Sequence, residues 1–200
     1  MKRYAWLAAV ICLCFVCLVA WRDKDVPESS AVFVDRKGQI SALFVEDFAE
    51  DYYSLRELAE MAKKEAAEYN AMTPDKKAAV RVDKVEMLPA GSSKIMVSYR
   101  YDGWESYTDF NGQKLFYGTL GEAARTGFSM DEMLKSAADG SLWEGKRLSL
   151  PADISVIFTD VKANIYCPGE VTYISGGASV NADGSVDTSG AGGTVCILMK

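Results

Sequence analysis

The 200-residue sequence contains no histidine. Histidine is the commonest general base in enzymes and the commonest protein ligand of metal ions. Its absence excludes every Ser-His and Cys-His nucleophile arrangement. The Ser-x-x-Lys pattern, which is the usual serine mechanism without histidine, is also missing. We therefore predict that the chain is not an enzyme.

Cysteine is scarce outside the beginning of the chain. Cys12, Cys14 and Cys17 lie in an apolar run, and only Cys167 and Cys196 follow it. Two cysteines without histidine do not make a cysteine-rich zinc site. We predict no metal and no cofactor.

Basic residues are outnumbered by acidic ones, 22 to 28. Because Lys2 and Arg3 precede the apolar run, residues 22–200 carry 20 basic and 28 acidic side chains, a net charge of −8. This balance argues against nucleic acid and against anionic lipid surfaces as partners. The run Gly140–Arg147 is similar to a phosphate loop, but it ends in arginine where a magnesium-binding hydroxyl is required. Nucleotide binding is therefore not expected.

The eighteen residues 4–21 carry no charge and are nearly all apolar. At helical rise, about eighteen residues nearly span the ~30 Å hydrocarbon core of a bilayer. Lys2 and Arg3 before them give the positive start of a secretory signal or a signal anchor. Leu18 suits a cleavage site poorly, and no cysteine in the run follows the small residue that lipidation requires. We predict that residues 1–21 are a membrane anchor, with a signal segment as the alternative, and that the domain lies on the extracytoplasmic side of the cell membrane.

Residues 22–30 are polar and contain a proline, which predicts a short tether. Residues 31–200 suffice for a single exported domain. Ala31–Val34 and Gln39–Val45 have strand character, and Gly38 between them suits a hairpin turn. Ser54 and Glu57 have the spacing of a capping box at the start of a helix.

The remaining chain mixes short strands with short helices. A second hairpin is predicted at residues 80–101, with a slip of alternation near Asp83 that suggests a bulge. A helix is predicted over residues 129–136, followed by an irregular connection, and strands dominate from Ile154 onward. The predicted fold class is α+β: an amino-terminal hairpin plus one long capped helix, then antiparallel strands with short helices and an all-β carboxyl-terminal region.

Several short motifs are shared with a known group of sequences. They are Val34–Ile40, Val45–Phe48, Asp51–Tyr53, Phe110–Gly112 and Pro168–Ser175. Through these motifs, residues 31–199 resemble a family of small uncharacterised predicted lipoproteins and exported proteins of anaerobic Gram-positive bacteria. The resemblance implies an exported domain of mixed helix and strand and implies no activity. The chain departs from that pattern at the lipidation cysteine.

Seven aromatic residues fall within residues 99–117, interspersed with acids and an amide. Flat rings beside polar groups suit the faces and edges of a sugar, which makes Tyr101, Trp104 and Tyr107 candidate ligand-binding residues. The alternative is that these rings belong to the core, where aromatic side chains bury large areas. The leading hypothesis is a membrane-tethered or exported surface protein of structural or protein-interaction type. A glycan or cell-wall binding module using residues 99–117 is the alternative.

The last candidate pair is Cys167 and Cys196, which lie in the strand-rich region. Outside the membrane thiols tend to oxidise, and neighbouring strands can bring two α-carbons within the ~4.4–6.8 Å of a disulfide. A disulfide is therefore one hypothesis. Two buried thiols that behave as small apolar residues are the other.

Overall fold

The computed structural model describes residues 29–47, 54–73, 75–76, 78–89, 93–130, 133–144 and 149–200. The predicted membrane segment, residues 4–21, lies outside these ranges. Among the helices that are described, none has both the length and the apolar character needed to span a bilayer.

The described residues form thirteen strands and three helices. The strands are β1 Ala31–Val34, β2 Ile40–Asp47, β3 Val80–Met87, β4 Lys94–Tyr101, β5 Leu115–Thr119, β6 Met133–Ser136, β7 Leu142–Glu144, β8 Ser155–Thr159, β9 Asn164–Tyr166, β10 Val171–Ser175, β11 Ser179–Val180, β12 Val186–Asp187 and β13 Val195–Met199. The helices are α1 Leu55–Met72, α2 Trp104–Asn111 and α3 Leu120–Arg125.

The strands form two sheets. The first has seven strands in the order β11-β12-β9-β1-β2-β4-β3, and the second has six in the order β5-β8-β13-β10-β6-β7. Neighbouring strands are antiparallel except β1 and β9, which pair in parallel with Val32 opposite Ile165. This pairing places the first described strand beside a segment more than 130 residues later in the chain.

The predicted α+β class is wrong, because the fold is mostly β and only 21% of it is helical. The predicted amino-terminal hairpin is not a unit of its own, since β1 and β2 are interior strands of the seven-stranded sheet. The capping box predicted for the long helix is also incomplete. Ser54 Oγ accepts a hydrogen bond from the backbone N–H of Glu57, but Glu57 does not return it. Local patterns could not reveal the arrangement of the strands because it depends on pairing between distant segments.

Shorter segments also differ from their predictions. Met133–Ser136, the end of the predicted helix over 129–136, is strand β6 and pairs with β10. The connection predicted to be irregular contains β7. The predicted bulge is confirmed, because the register of β3 against β4 shifts between Val82 and Lys84. A complete capping box occurs at Thr119 and Glu122, at the start of α3.

The core explains why β13 contains five consecutive buried residues. Val195, Ile197 and Met199 face the first sheet and lie in the larger hydrophobic cluster that the two sheets share. Cys196 and Leu198 face the other way, into a second cluster that includes Ala123 of α3. Alternate residues of a strand point to opposite faces, so an unbroken apolar run is what a strand buried on both sides requires.

Candidate functional site

The structure buries two of the three predicted ligand-binding residues. Tyr101 and Tyr107 are 1% and 0% exposed, and their ring centroids lie 5.0 Å apart with planes inclined at 69°. The Tyr101 hydroxyl exchanges hydrogen bonds with the side-chain amide of Asn111, and the Tyr107 hydroxyl donates to Gln113 Oε1 at 3.1 Å. Burial raises the pKa of both hydroxyls. Neither ring is available to stack on a sugar.

Trp104 is half-buried and packs on Phe116, with 5.1 Å between the ring centroids. It borders the second hydrophobic cluster and the shared one. The three residues therefore do not make the exposed, coplanar surface that the glycan hypothesis needs. Their contacts are those of core packing.

A different set of aromatic residues surrounds a cavity. The cavity has a volume of about 730 Å³ and lies between α1, the end of α2 and the face of the first sheet formed by β2 and β4. Ligand pockets typically occupy about 300–1,000 Å³. We call this cavity the α1 groove. Its aromatic lining residues are Phe44, Tyr69, Tyr99 and Phe110.

Each ring reaches the groove for a local reason. Phe44 on β2 pairs with Val97 of β4, and Tyr99 lies two residues beyond Val97, so Phe44 and Tyr99 occupy the same face of the sheet. Tyr69 lies in the last turns of α1, and Phe110 lies in the last turn of α2. Helix α2 ends at Gly112, whose φ of 66° is left-handed and suits glycine.

The rings contact one another in a chain. Phe44 and Tyr99 lie 5.9 Å apart, Tyr99 and Phe110 lie 5.6 Å apart, and Phe110 and Tyr69 lie 5.5 Å apart. Their planes are inclined at 73°, 53° and 87°, which are tilted and edge-to-face arrangements. Such arrangements present ring faces in several directions rather than one flat platform.

The charged side chains that line the groove are all acidic. They are Glu46, Glu65, Glu68 and Asp109, and no Lys or Arg among the described residues lines the cavity. The negative field reaches the rings, because burial and the charge of Glu65 both raise the pKa of Tyr99. The Tyr69 hydroxyl oxygen is buried and has no hydrogen-bond partner among the described residues.

A second surface lies at the edge of the six-stranded sheet. Strand β7 is the terminal strand of that sheet and exposes Leu142 and Trp143, at 67% and 48%. Met133 on the adjacent strand β6 is 50% exposed. We call these three residues the β7 edge. Large exposed apolar groups at a sheet edge are unusual, since edges are commonly protected by charge.

The disulfide hypothesis is not met, because Cys167 and Cys196 are both thiols. Cys167 follows β9 of the first sheet and packs against the shared cluster, whereas Cys196 points from β13 into the second cluster. The strands that hold them belong to different sheets. Cys196 is buried and Cys167 is half-buried, so the hypothesis of two buried thiols holds fully for Cys196 only.

The acidic residues of the loop between β11 and β12 make turn contacts. Asp183 Oδ1 accepts hydrogen bonds from the backbone N–H and the hydroxyl of Ser185, and both bonds lower the pKa of Asp183. Within the part of the chain that the structure describes, no group of three or more acidic, cysteine or histidine side chains is arranged to hold a metal ion.

The described residues form a mostly β domain with two candidate binding surfaces, the α1 groove and the β7 edge. No family model matches the chain, and no curated protein or solved structure matches it.

The predicted ligand surface and the α1 groove both draw on the aromatic stretch 99–117 but use different residues. Tyr99 and Phe110 belong to residues 99–117, whereas Phe44 and Tyr69 come from distant segments. Tyr69 follows Leu58, Ala62 and Ala66 at helical spacing along α1, and this periodicity is visible in the sequence. Nothing in the local pattern indicated that Phe44 lies beside Tyr99.

We expect the Cys167 thiol to resist alkylation in the folded protein. Burial raises its pKa to about 12, so little reactive thiolate exists near pH 8. Above pH ~9 this thiol is ionised in the unfolded chain but stays protonated in the folded chain. The contribution of the Cys167 thiol to the free energy of unfolding is therefore fully present below pH ~9 and is lost as the pH rises toward 12. The measurement is mass spectrometry after iodoacetamide treatment of the native protein, without reductant.

Urea-unfolded protein treated in the same way is the control, and both Cys167 and Cys196 should then be modified. Fast modification of Cys167 in the native protein would contradict its burial. If Cys167 and Cys196 of the unfolded protein were modified only after a reductant is added, the two residues would form a disulfide.

Proposed function

We propose that the chain is a membrane-tethered or exported surface protein of protein-interaction type, and that it is not an enzyme. The observation that carries the interaction is the β7 edge, where Leu142 and Trp143 are exposed on a terminal strand. The apolar residues 4–21 and the basic residues before them support the tether and the extracytoplasmic location. The resemblance of residues 31–199 to small exported proteins of anaerobic Gram-positive bacteria supports the same location.

The register of β7 places apolar groups on both faces of the sheet edge. Trp143 pairs with Leu134 of the second cluster, so the indole extends the face of the sheet that carries that cluster. Leu142 pairs with Lys135, which pairs with Ile174 of the shared cluster, so Leu142 lies on the opposite face, as does Met133. A partner strand added at this edge would cover apolar groups on both faces.

The corresponding edge of the first sheet is different. Strand β3 exposes charged side chains, with Lys84 Nζ 2.7 Å from Glu86 Oε2 and Asp83 Oδ2 2.6 Å from Arg100 Nη2. Charges at an edge discourage pairing with another chain. The contrast with β7 supports a selective role for the apolar edge.

An extended segment of a protein is the partner that suits β7. Main-chain groups of a terminal strand are available to an added strand, and side-chain pockets supply specificity. Because β7 has three residues, it offers few main-chain hydrogen bonds, so Leu142 and Trp143 would supply most of the affinity. The glycan alternative receives less support, because Tyr101 and Tyr107 are buried.

Surface location is expected to be measurable on intact cells. A membrane-impermeant amine-reactive biotin should label the full chain when it is produced in a Gram-positive host, through exposed lysines such as Lys37. The chain should remain with the membrane after an alkaline carbonate wash. A cytoplasmic protein is the control, and labelling only after lysis would contradict the location.

The β7 edge is expected to select extended apolar peptides. We would pan a random dodecapeptide library on the full chain in maltoside detergent and measure the affinity of the enriched peptides. The variant Leu142→Lys should weaken binding at least tenfold, because it places charge where an apolar contact forms. Since Leu142 is exposed, the variant should unfold at nearly the same temperature as the parent protein.

Lys84→Glu on the β3 edge is the matched control and should leave peptide affinity unchanged. Peptides that bind Leu142→Lys as well as the parent protein would contradict the proposal. So would a library that yields no specific peptide.

A further inference from the structure

The α1 groove combines features that have no role in the proposed binding at the β7 edge. Half-buried Phe44, Tyr69 and Phe110 present ring surface to the cavity, and the more deeply buried Tyr99 joins them. All four rings line the same groove, so a cation within it would lie close to aromatic side chains. The faces of aromatic rings carry negative potential, so a positive group is attracted to them.

The acidic side chains at the rim of the groove are negatively charged, which is the same sign as the potential of the ring faces. Glu65 and Glu68 reach the groove from α1, Glu46 from β2 and Asp109 from α2. Lys64 Nζ lies 3.8 Å from Glu68 Oε1, and this exposed pair offsets part of the charge of Glu68. A cleft lined by one sign of charge raises the local concentration of ions of the other sign.

We propose that the α1 groove binds an organic cation, an alkylammonium group seated among Phe44, Tyr69, Tyr99 and Phe110 and attracted by the acidic rim. The alkyl groups contact the aromatic rings that line the groove. A neighbouring phosphate on the ligand would be repelled by Glu46, Glu65 and Asp109. The groove therefore selects an alkylammonium group without an adjacent phosphate, which excludes the headgroups of phospholipids.

Choline and its neutral carbon isostere, 3,3-dimethyl-1-butanol, test the requirement for charge at constant shape. Isothermal titration calorimetry on the full chain in maltoside detergent should show at least tenfold tighter binding of choline. Phosphocholine should bind more weakly than choline, which distinguishes a free alkylammonium from a lipid headgroup. Choline binding should weaken as salt is added, because the rim residues are exposed.

Two variants identify the groove as the site. Phe110→Leu keeps an apolar side chain but removes a ring face, and it should weaken choline binding about tenfold. Glu65→Gln removes one rim charge at an exposed position, and it should weaken binding about threefold at low salt without unfolding the protein. The control is Glu60→Gln on the exposed side of the same helix, where Glu60 pairs with Arg56 outside the groove.

Several outcomes would overturn the proposal. They are failure of the folded parent protein to bind choline, equal affinity for the neutral isostere, stronger binding of phosphocholine, and binding that Glu65→Gln leaves unchanged. The measurement does not depend on the β7 edge, so Leu142→Lys should bind choline as the parent protein does.

Discussion

The burial of β13 on both faces is the constraint on which the rest of the structure depends. Val195, Ile197 and Met199 close the core between the two sheets, while Cys196 and Leu198 close the core beneath α3. Each buried aliphatic side chain stabilises the fold by roughly 1.5–3 kcal/mol through loss of apolar surface from water. Because one strand serves both clusters, a polar residue at position 195, 197 or 199 would destabilise the shared core, whereas one at 196 or 198 would destabilise the core beneath α3.

Both candidate surfaces depend on that framework. The α1 groove lies on the same face of the first sheet as the shared core, since Phe44 and Tyr99 continue the inward positions of Ala42 and Tyr101 along their strands. The β7 edge is the end of the sheet in which β13 is central. A rigid framework holds binding side chains at fixed separations, so less ordering is required when a partner binds.

Local structure could be predicted well from the sequence, whereas the arrangement of the strands in the two sheets could not. The strand at residues 195–199 and the bulge near Asp83 both followed from short patterns. The parallel pairing of β1 with β9 did not, because it joins residues more than 130 positions apart. The burial of Tyr101 and Tyr107 could not be predicted either. An aromatic pattern shows that rings are close in sequence, whereas their burial depends on which strands meet in the fold.

The account requires the two sheets to fold as one cooperative unit around their shared core. Native-state hydrogen exchange with increasing denaturant measures this directly, by comparing the slowest amides of β4 in the first sheet with those of β13 in the second. The account predicts the same opening free energy and the same dependence on denaturant for both strands. If β4 opened at a free energy several kcal/mol below that of β13, with its own dependence on denaturant, the sheets would be separate units and the shared core would not control the fold.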